Sequence, residues 1–218
     1  MSRLLIGRVY KQRKEDSKLP IAKNRYGDDI IGHGINRPFL IFYSDDKVFY
    51  LSAKSITDKN INQTLSDRNN LILDVDFYGN NKKISVDCSV INVMDRELFE
   101  DNFKEDSELN NYLTSPQTYN TVMEKLFSNL RNISYYEIDC FGINKTYWKP
   151  QSEAIKNKKL CEKIIINYIK VFRLKYDEET LKDAESFFSS LEKEFIDITN
   201  QYKEKTINTL EDDEGLIL

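Results

Sequence analysis

FLIFYSDDKVFYLSAKS, residues 39–55, holds two runs rich in aromatic and β-branched side chains, 39–43 and 47–52, on either side of Ser44-Asp45-Asp46. Runs of that length and type read as strands, and a three-residue polar connection makes the pair a hairpin. Upstream, residues 1–10 alternate well enough for a first strand. The stretch 11–36 between them is a long polar loop punctuated by Pro20, Gly27, Gly32 and Gly34. Downstream, Leu71, Leu73, Val75 and Phe77 share one strand face opposite Ile72, Asp74, Asp76 and Tyr78. A turn at Gly79-Asn80-Asn81 follows, and Ile84, Val86, Cys88 and Val90 repeat the period. About five short strands that follow one another in sequence predict a small antiparallel barrel or curled sheet.

After residue 94 the apolar spacing changes from two to about 3.6. Asp95 is placed to cap a short helix over 96–103. Ser115-Pro116 is an N-cap followed by proline, opening a helix to about 131 with Tyr119, Val122, Met123, Leu126, Phe127 and Leu130 inward. A helix over about 152–175 presents Cys161, Ile165, Tyr168 and Phe172, and one over about 178–208 presents Leu181, Ala184, Phe188, Leu191, Phe195, Ile198 and Tyr202. The simplest arrangement is a long antiparallel helical hairpin turning at Tyr176-Asp177, which also offers a surface for self-association. The expected class is therefore α+β: a barrel domain over 1–105 and a helical extension over 106–218, with an acidic, frayed tail at 211–218.

The 218 residues are enough for one domain with a substantial core, burying about 70% of the unfolded surface. No window approaches the roughly 20 apolar residues that cross a bilayer, and the first residues lack a signal pattern, so the expectation is a cytoplasmic protein with no membrane partner. Cys88, Cys140 and Cys161 are far apart without paired spacing and read as free thiols rather than a disulfide framework or a zinc site. The net charge of −4 is unevenly spread: residues 1–59 carry a net of +5. Within the first 27 residues lie Arg3, Arg8, Lys11, Arg13, Lys14, Lys18, Lys23 and Arg25. A basic face on an acidic chain points to a polyanionic partner such as RNA, with a solvated arm as the alternative.

Phosphate-loop, dinucleotide and metalloprotease signatures are missing, and His33 is the chain's single histidine. Asp74 and Asp76 share a strand face, as a two-metal nuclease requires. A solvent-facing strand looks the same, and we read them so. No metal or cofactor is expected.

Arg37-Pro38 running into FLIFY, the returning strand KVFYLSAKS, and the later KKISVDCSVINVMDRELF together resemble the layout of the MazF/PemK-like toxins, whose fold is an SH3-like β-barrel. The related ToxN-like toxins, which pair with RNA antitoxins, carry longer helical decoration. The resemblance covers about residues 1–105. It implies a metal-independent endoribonuclease of a toxin–antitoxin or mobile-element system, cleaving single-stranded RNA through its 2'-hydroxyl, with a peptide or RNA antitoxin as partner and dimerisation through the barrel or the C-terminal helices. Arg37 matches the family's arginine beside proline, and a guanidinium fork suits a pentacovalent phosphate. The family's Thr-Ser element falls on Lys54-Ser55, where lysine replaces threonine, and Ser52 is the substitute if the alignment slips. His33, four residues before Arg37, is an acid or base candidate. The RNA-binding candidates are Arg8, Lys11, Arg13, Lys14, Lys23, Arg25 and Tyr26, with Tyr10, Tyr26 and Tyr43 as exposed stacking platforms. The alternative from the same residues is a non-catalytic nucleic-acid-binding or protein-interaction module.

Overall fold

The computed structural model of the protein describes residues 6–13, 22–30, 38–77, 80–140, 146–176 and 180–214. Its centre is the predicted hairpin. Strand β2 (Phe39–Ser44) pairs with β3 (Lys47–Ser55) in antiparallel register, Phe39 facing Ser52 and Ser44 facing Val48. The register slips between Ile41 and Tyr43. That bulge leaves the Phe42 carbonyl to accept from the Tyr119 hydroxyl at 2.6 Å, a contact that ties a helix to the hairpin.

The other edge of β3 is divided between two partners, and this division curls the sheet. Residues 47–50 pair with β6 (Val90–Asp95), and residues 53–55 pair with β5 (Asn80–Asp87). Tyr50 faces Asn92 while Ala53 faces Val86, so three steps along β3 span six along the facing chain. The extra residues form the turn at Cys88-Ser89, held because Asp87 Oδ1 accepts from the Ser89 N–H at 3.0 Å and the Ser89 hydroxyl at 2.6 Å. A bulge of this kind bends its strand and re-aims side chains. Where the sequence reads one alternating strand from 84 to 90, the structure breaks it at Asp87, since the Asx-type turn competes with the ladder.

Strand β4 (Asn70–Phe77) lies against β5, and β1 (Val9–Gln12) lies between β2 and the short β7 (Phe103–Glu105). Two strands come from the stretch expected to be helical. β8 (Ser134–Cys140) runs parallel to β6, and β9 (Thr146–Trp148) pairs antiparallel with β8. The result is a nine-stranded, strongly curled half-barrel sheet with helices, a mixed α and β architecture compatible with α+β.

The capping residues act as their chemistry requires. Asp95 accepts from the Glu97 N–H to start α2 (Arg96–Asn102), Asp106 accepts from Leu109 N–H to start α3 (Ser107–Leu113), and Ser115 accepts from Thr118 N–H to start α4 (Pro116–Asn129). The first helix, α1 (Ile61–Ser66), precedes β4. Helix α5 (Gln151–Asn167) continues into a π turn at Tyr168–Phe172 and a 3-10 turn at Arg173–Lys175, and α6 covers Ala184–Glu214. Of the expected hairpin turn at Tyr176-Asp177, Asp177 lies outside the described residues, as do 178 and 179. No helix among the described residues is long and apolar enough to cross a membrane.

Both faces of β2 and β3 are covered. One core joins Leu40, Phe42, Phe49 and Leu51 to Tyr119, Met123, Ile164, Tyr168, Phe187, Leu191 and Phe195 of the helices. The other joins Phe39, Ile41, Val48 and Tyr50 to Tyr10, Phe99, Phe103 and Ile138. Burial on both sides explains why FLIFY is continuously apolar rather than alternating. It also overturns two expectations of exposure, because Tyr10 and Tyr43 are core residues at 5% and 1% exposure.

Candidate functional site

A cavity of about 410 Å³ with a polar lining opens on the β5 side of β3. Ser52, Ala53 and Lys54 of β3 line it, together with Ser85 and Asp87 of β5, Asn70 at the start of β4, Gln63 and Asp67 at the first short helix, and Asn24, Arg25, Tyr26, Asp29 and Ile30. A volume of this order accommodates a small polar ligand or one unit of a polymer.

The 22–30 segment is a built loop. Lys23 and Asp29 form an antiparallel bridge, and the Asn24 Oδ1 accepts from the Tyr26 and Asp28 N–H groups at 2.8 and 3.0 Å. Gly27 takes φ +86, a conformation that glycine adopts without strain. The loop is fixed to the sheet by the fully buried Asn92, whose amide accepts from the Lys23 N–H at 2.8 Å and donates to its carbonyl at 3.3 Å. The Lys23 ammonium pairs with Asp29 at 3.0 Å and sits 5.0 Å from the Trp148 ring centroid. The loop tip therefore presents Arg25 and Tyr26 to the cavity. Tyr26 is 80% exposed, the single stacking candidate of the three that remains open to solvent.

Arg25 donates to Asp67, which also accepts from the Asn69 N–H at 3.1 Å. The Arg25 hydrogen bond holds the Asp67 carboxyl below the usual carboxylate range, opposed by partial burial and assisted by the Asn69 N–H and the charge of Lys54. Lys54, half-buried, faces Ser85 across the β3–β5 ladder. Ser85 is 1% exposed, and its hydroxyl has no hydrogen-bond partner among the described residues.

Of the candidates read from the sequence, Lys54, Arg25 and Tyr26 meet at this cavity. Ser55 is exposed and outside its lining, because successive strand residues point to opposite faces; Ser52, two residues before Lys54, shares its side and is buried. Lys23 acts one step back, as the anchor of the loop. The cations in and beside β1 lie elsewhere: Arg8 pairs with Glu105 at 2.7 Å, Lys11 with Asp106 at 3.5 Å, and Arg13 donates to the Glu100 carbonyl at 3.1 Å. His33, Arg37 and Lys14 lie outside the described residues. Pro38, which follows Arg37, accepts from the Ala53 N–H at 2.9 Å, and Ala53 lines the cavity.

Asp67, Asp87, Asn70 and Ser85 were missed as site residues. Asp67 ends the first short helix and Asp87 ends β5, and the placing of Asp87 depends on the β5–β6 bulge, which no local pattern announces. Asp74 is exposed and pairs with Lys83 at 3.4 Å, as a solvated strand face does. No cluster of three or more His, Cys, Asp or Glu side chains suited to a metal ion occurs among the described residues. Cys88 and Cys161 are buried free thiols, and burial pushes both thiols up.

No protein-family model, curated protein or solved structure matches this chain.

Proposed function

We propose that this protein is a metal-independent endoribonuclease of a toxin–antitoxin or mobile-element system, built on an SH3-like barrel of the MazF/PemK kind with a C-terminal helical hairpin. The observation that carries the reading is the convergence of Lys54 from β3 with Arg25 and Tyr26 from the anchored loop on one polar cavity beside Pro38. In the proposed reaction the 2'-oxygen of the RNA bonds to the adjacent phosphorus as the P–O5' bond breaks. A proton leaves the 2'-hydroxyl and another reaches the 5'-oxygen, giving a 2',3'-cyclic phosphate and a 5'-hydroxyl. Arg37 and Lys54 are assigned to the phosphate charge, His33 to proton transfer, and Ser52 to the position that the resemblance gave to Ser55. A preorganised donor in this role is worth about 3–4 kcal/mol of transition-state stabilisation.

The test is incubation of the purified protein with mixed single-stranded RNA in EDTA. Fragments bearing 5'-hydroxyl ends are expected, and Arg37→Ala should slow their appearance by about 10²–10³-fold. Expression in growing cells should be toxic for the wild type and harmless for Arg37→Ala. Intact RNA at micromolar protein overturns the reading.

A second reading, a non-catalytic nucleic-acid-binding or protein-interaction module, keeps the sheet without the chemistry, and the ion pairs at Arg8, Lys11, Lys23 and Arg25 spend part of the charge that would grip phosphate. Salt-sensitive RNA binding without cleavage would select it.

A further inference from the structure

We infer that the cavity beside Tyr26 is a pocket for one unpaired nucleobase that carries an exocyclic amino group next to a ring nitrogen, as adenine and cytosine do. The inference rests on the proposal of an RNA substrate and names how one position of that substrate is read.

The lining decides the chemistry. Tyr26 offers an exposed ring at the rim, 5.8 Å from the Arg25 guanidinium, so a base stacking on it meets a π-face with a cation behind. Asp87 and Ser85 of β5 line the same cavity, the Asp87 charge acting on the Arg25 guanidinium. Asp87 spends Oδ1 on the Ser89 N–H and hydroxyl, leaving Oδ2, among the described residues, as an acceptor for a ligand. The buried Ser85 hydroxyl, without a partner among the described residues, can donate to a ring nitrogen. An unmade hydrogen bond at a buried hydroxyl is unfavourable, and a ligand that completes it is favoured by the amount otherwise lost. An amino group facing Asp87 and a ring nitrogen facing Ser85 satisfy both. Uracil presents a carbonyl oxygen where the amino group would be, and that oxygen faces a carboxylate. The cavity volume of about 410 Å³ leaves room for the sugar and phosphate, with Lys54 on the wall.

The experiment titrates the full-length protein with AMP, CMP, UMP and ribose 5-phosphate, followed by calorimetry and by the fluorescence of Trp148, the single tryptophan, which lies under the Lys23 anchor of the loop. AMP and CMP should bind at least about tenfold more tightly than UMP, the discrimination expected of a paired hydrogen-bond contact. Tyr26→Ala should weaken AMP and CMP binding together, and ribose 5-phosphate should bind no more tightly than UMP. Asp87→Asn keeps an oxygen for Ser89 and substitutes an amide donor for the carboxylate, so it should reverse the preference toward UMP. UMP or ribose 5-phosphate binding as tightly as AMP overturns the inference, as does an unchanged preference in a folded Asp87→Asn protein. Selective AMP and CMP binding by a protein that leaves RNA intact in EDTA upholds the pocket and removes the nuclease; cleavage with no nucleotide discrimination does the reverse.

Discussion

Asp67 and Glu137 show how differently two carboxylates are held in the same fold. The Asp67 charge is fixed mainly by the Arg25 hydrogen bond. Glu137 is 1% exposed; burial opposes its charge, but Lys149, Asn157 and Lys47 together outweigh it and bring its carboxyl below the usual range. Their ion-pair distances are 2.9 Å from Lys149 and 3.0 Å from Lys47. A carboxyl whose folded pKa is depressed contributes stability that is complete above its unfolded pKa and fades as pH falls through the folded value. Asp67→Asn should therefore destabilise the protein by about 1 kcal/mol at neutral pH. Urea titrations should find that difference shrinking to nothing as pH drops below the ordinary carboxylate range. Glu137→Gln should cost more, about 3 kcal/mol, because the half-buried Lys47 and Lys149 ammonium groups lose the buried carboxylate they share, with Asp139 at 2.9 Å left to Lys149 alone. If the Asp67 difference persists unchanged into acid, the assignment of the ion pair is wrong.

At the scale of elements, local chemistry was legible and tertiary gathering was not. Strands β2 and β3 were readable because turn residues bracket two dense β-prone runs. The caps at Asp95 and Ser115 were readable because one side chain and one N–H decide them. Alanine at either position should lower stability by about 1 kcal/mol, measured as a shift in denaturation midpoint without a change in slope. Strands β8 and β9 escaped notice because β8 finds its parallel partner β6 across α2, β7, α3 and α4, a pairing no short window contains. The cavity escaped for the same reason. Lys54, Arg25 and Tyr26 were singled out by residue type, whereas Asp87 and Ser85 acquire meaning from a bulge. Asn92 is a buried polar residue whose sequence context is ordinary, yet its one side chain meets both the N–H and the carbonyl of Lys23 in the loop. Asn92→Ala should release the 22–30 loop while leaving the sheet intact, accelerating exchange of the Lys23 N–H by at least about tenfold, given that a net hydrogen bond is worth about 1–1.5 kcal/mol.

For the whole molecule, helix α6 closes the larger core and touches distant parts of the chain. Tyr43 on β2 shares a hydroxyl contact with Thr199, and Lys203 pairs with Asp45 and Asp46 at 3.0 and 2.9 Å in the hairpin turn. Near the opposite end, Gly7 has φ +78, and a Cβ there would collide with the Phe188 ring. Gly7→Ala should destabilise the fold by about 2 kcal/mol, part from the backbone and part from overpacking. Adding Phe188→Leu should recover the packing part and leave the backbone part, which a double-mutant cycle separates.

The seating of α6 on the hairpin has a consequence for timing. Phe187, Leu191, Phe195 and Ile198 cover strands made some 150 residues earlier in synthesis, so a nascent chain exposes the β2–β3 face until the ribosome has passed α6. Before that moment the larger core lacks the wall that α6 supplies, and Leu40, Phe42, Phe49 and Leu51 rely on α4 and α5 alone for cover.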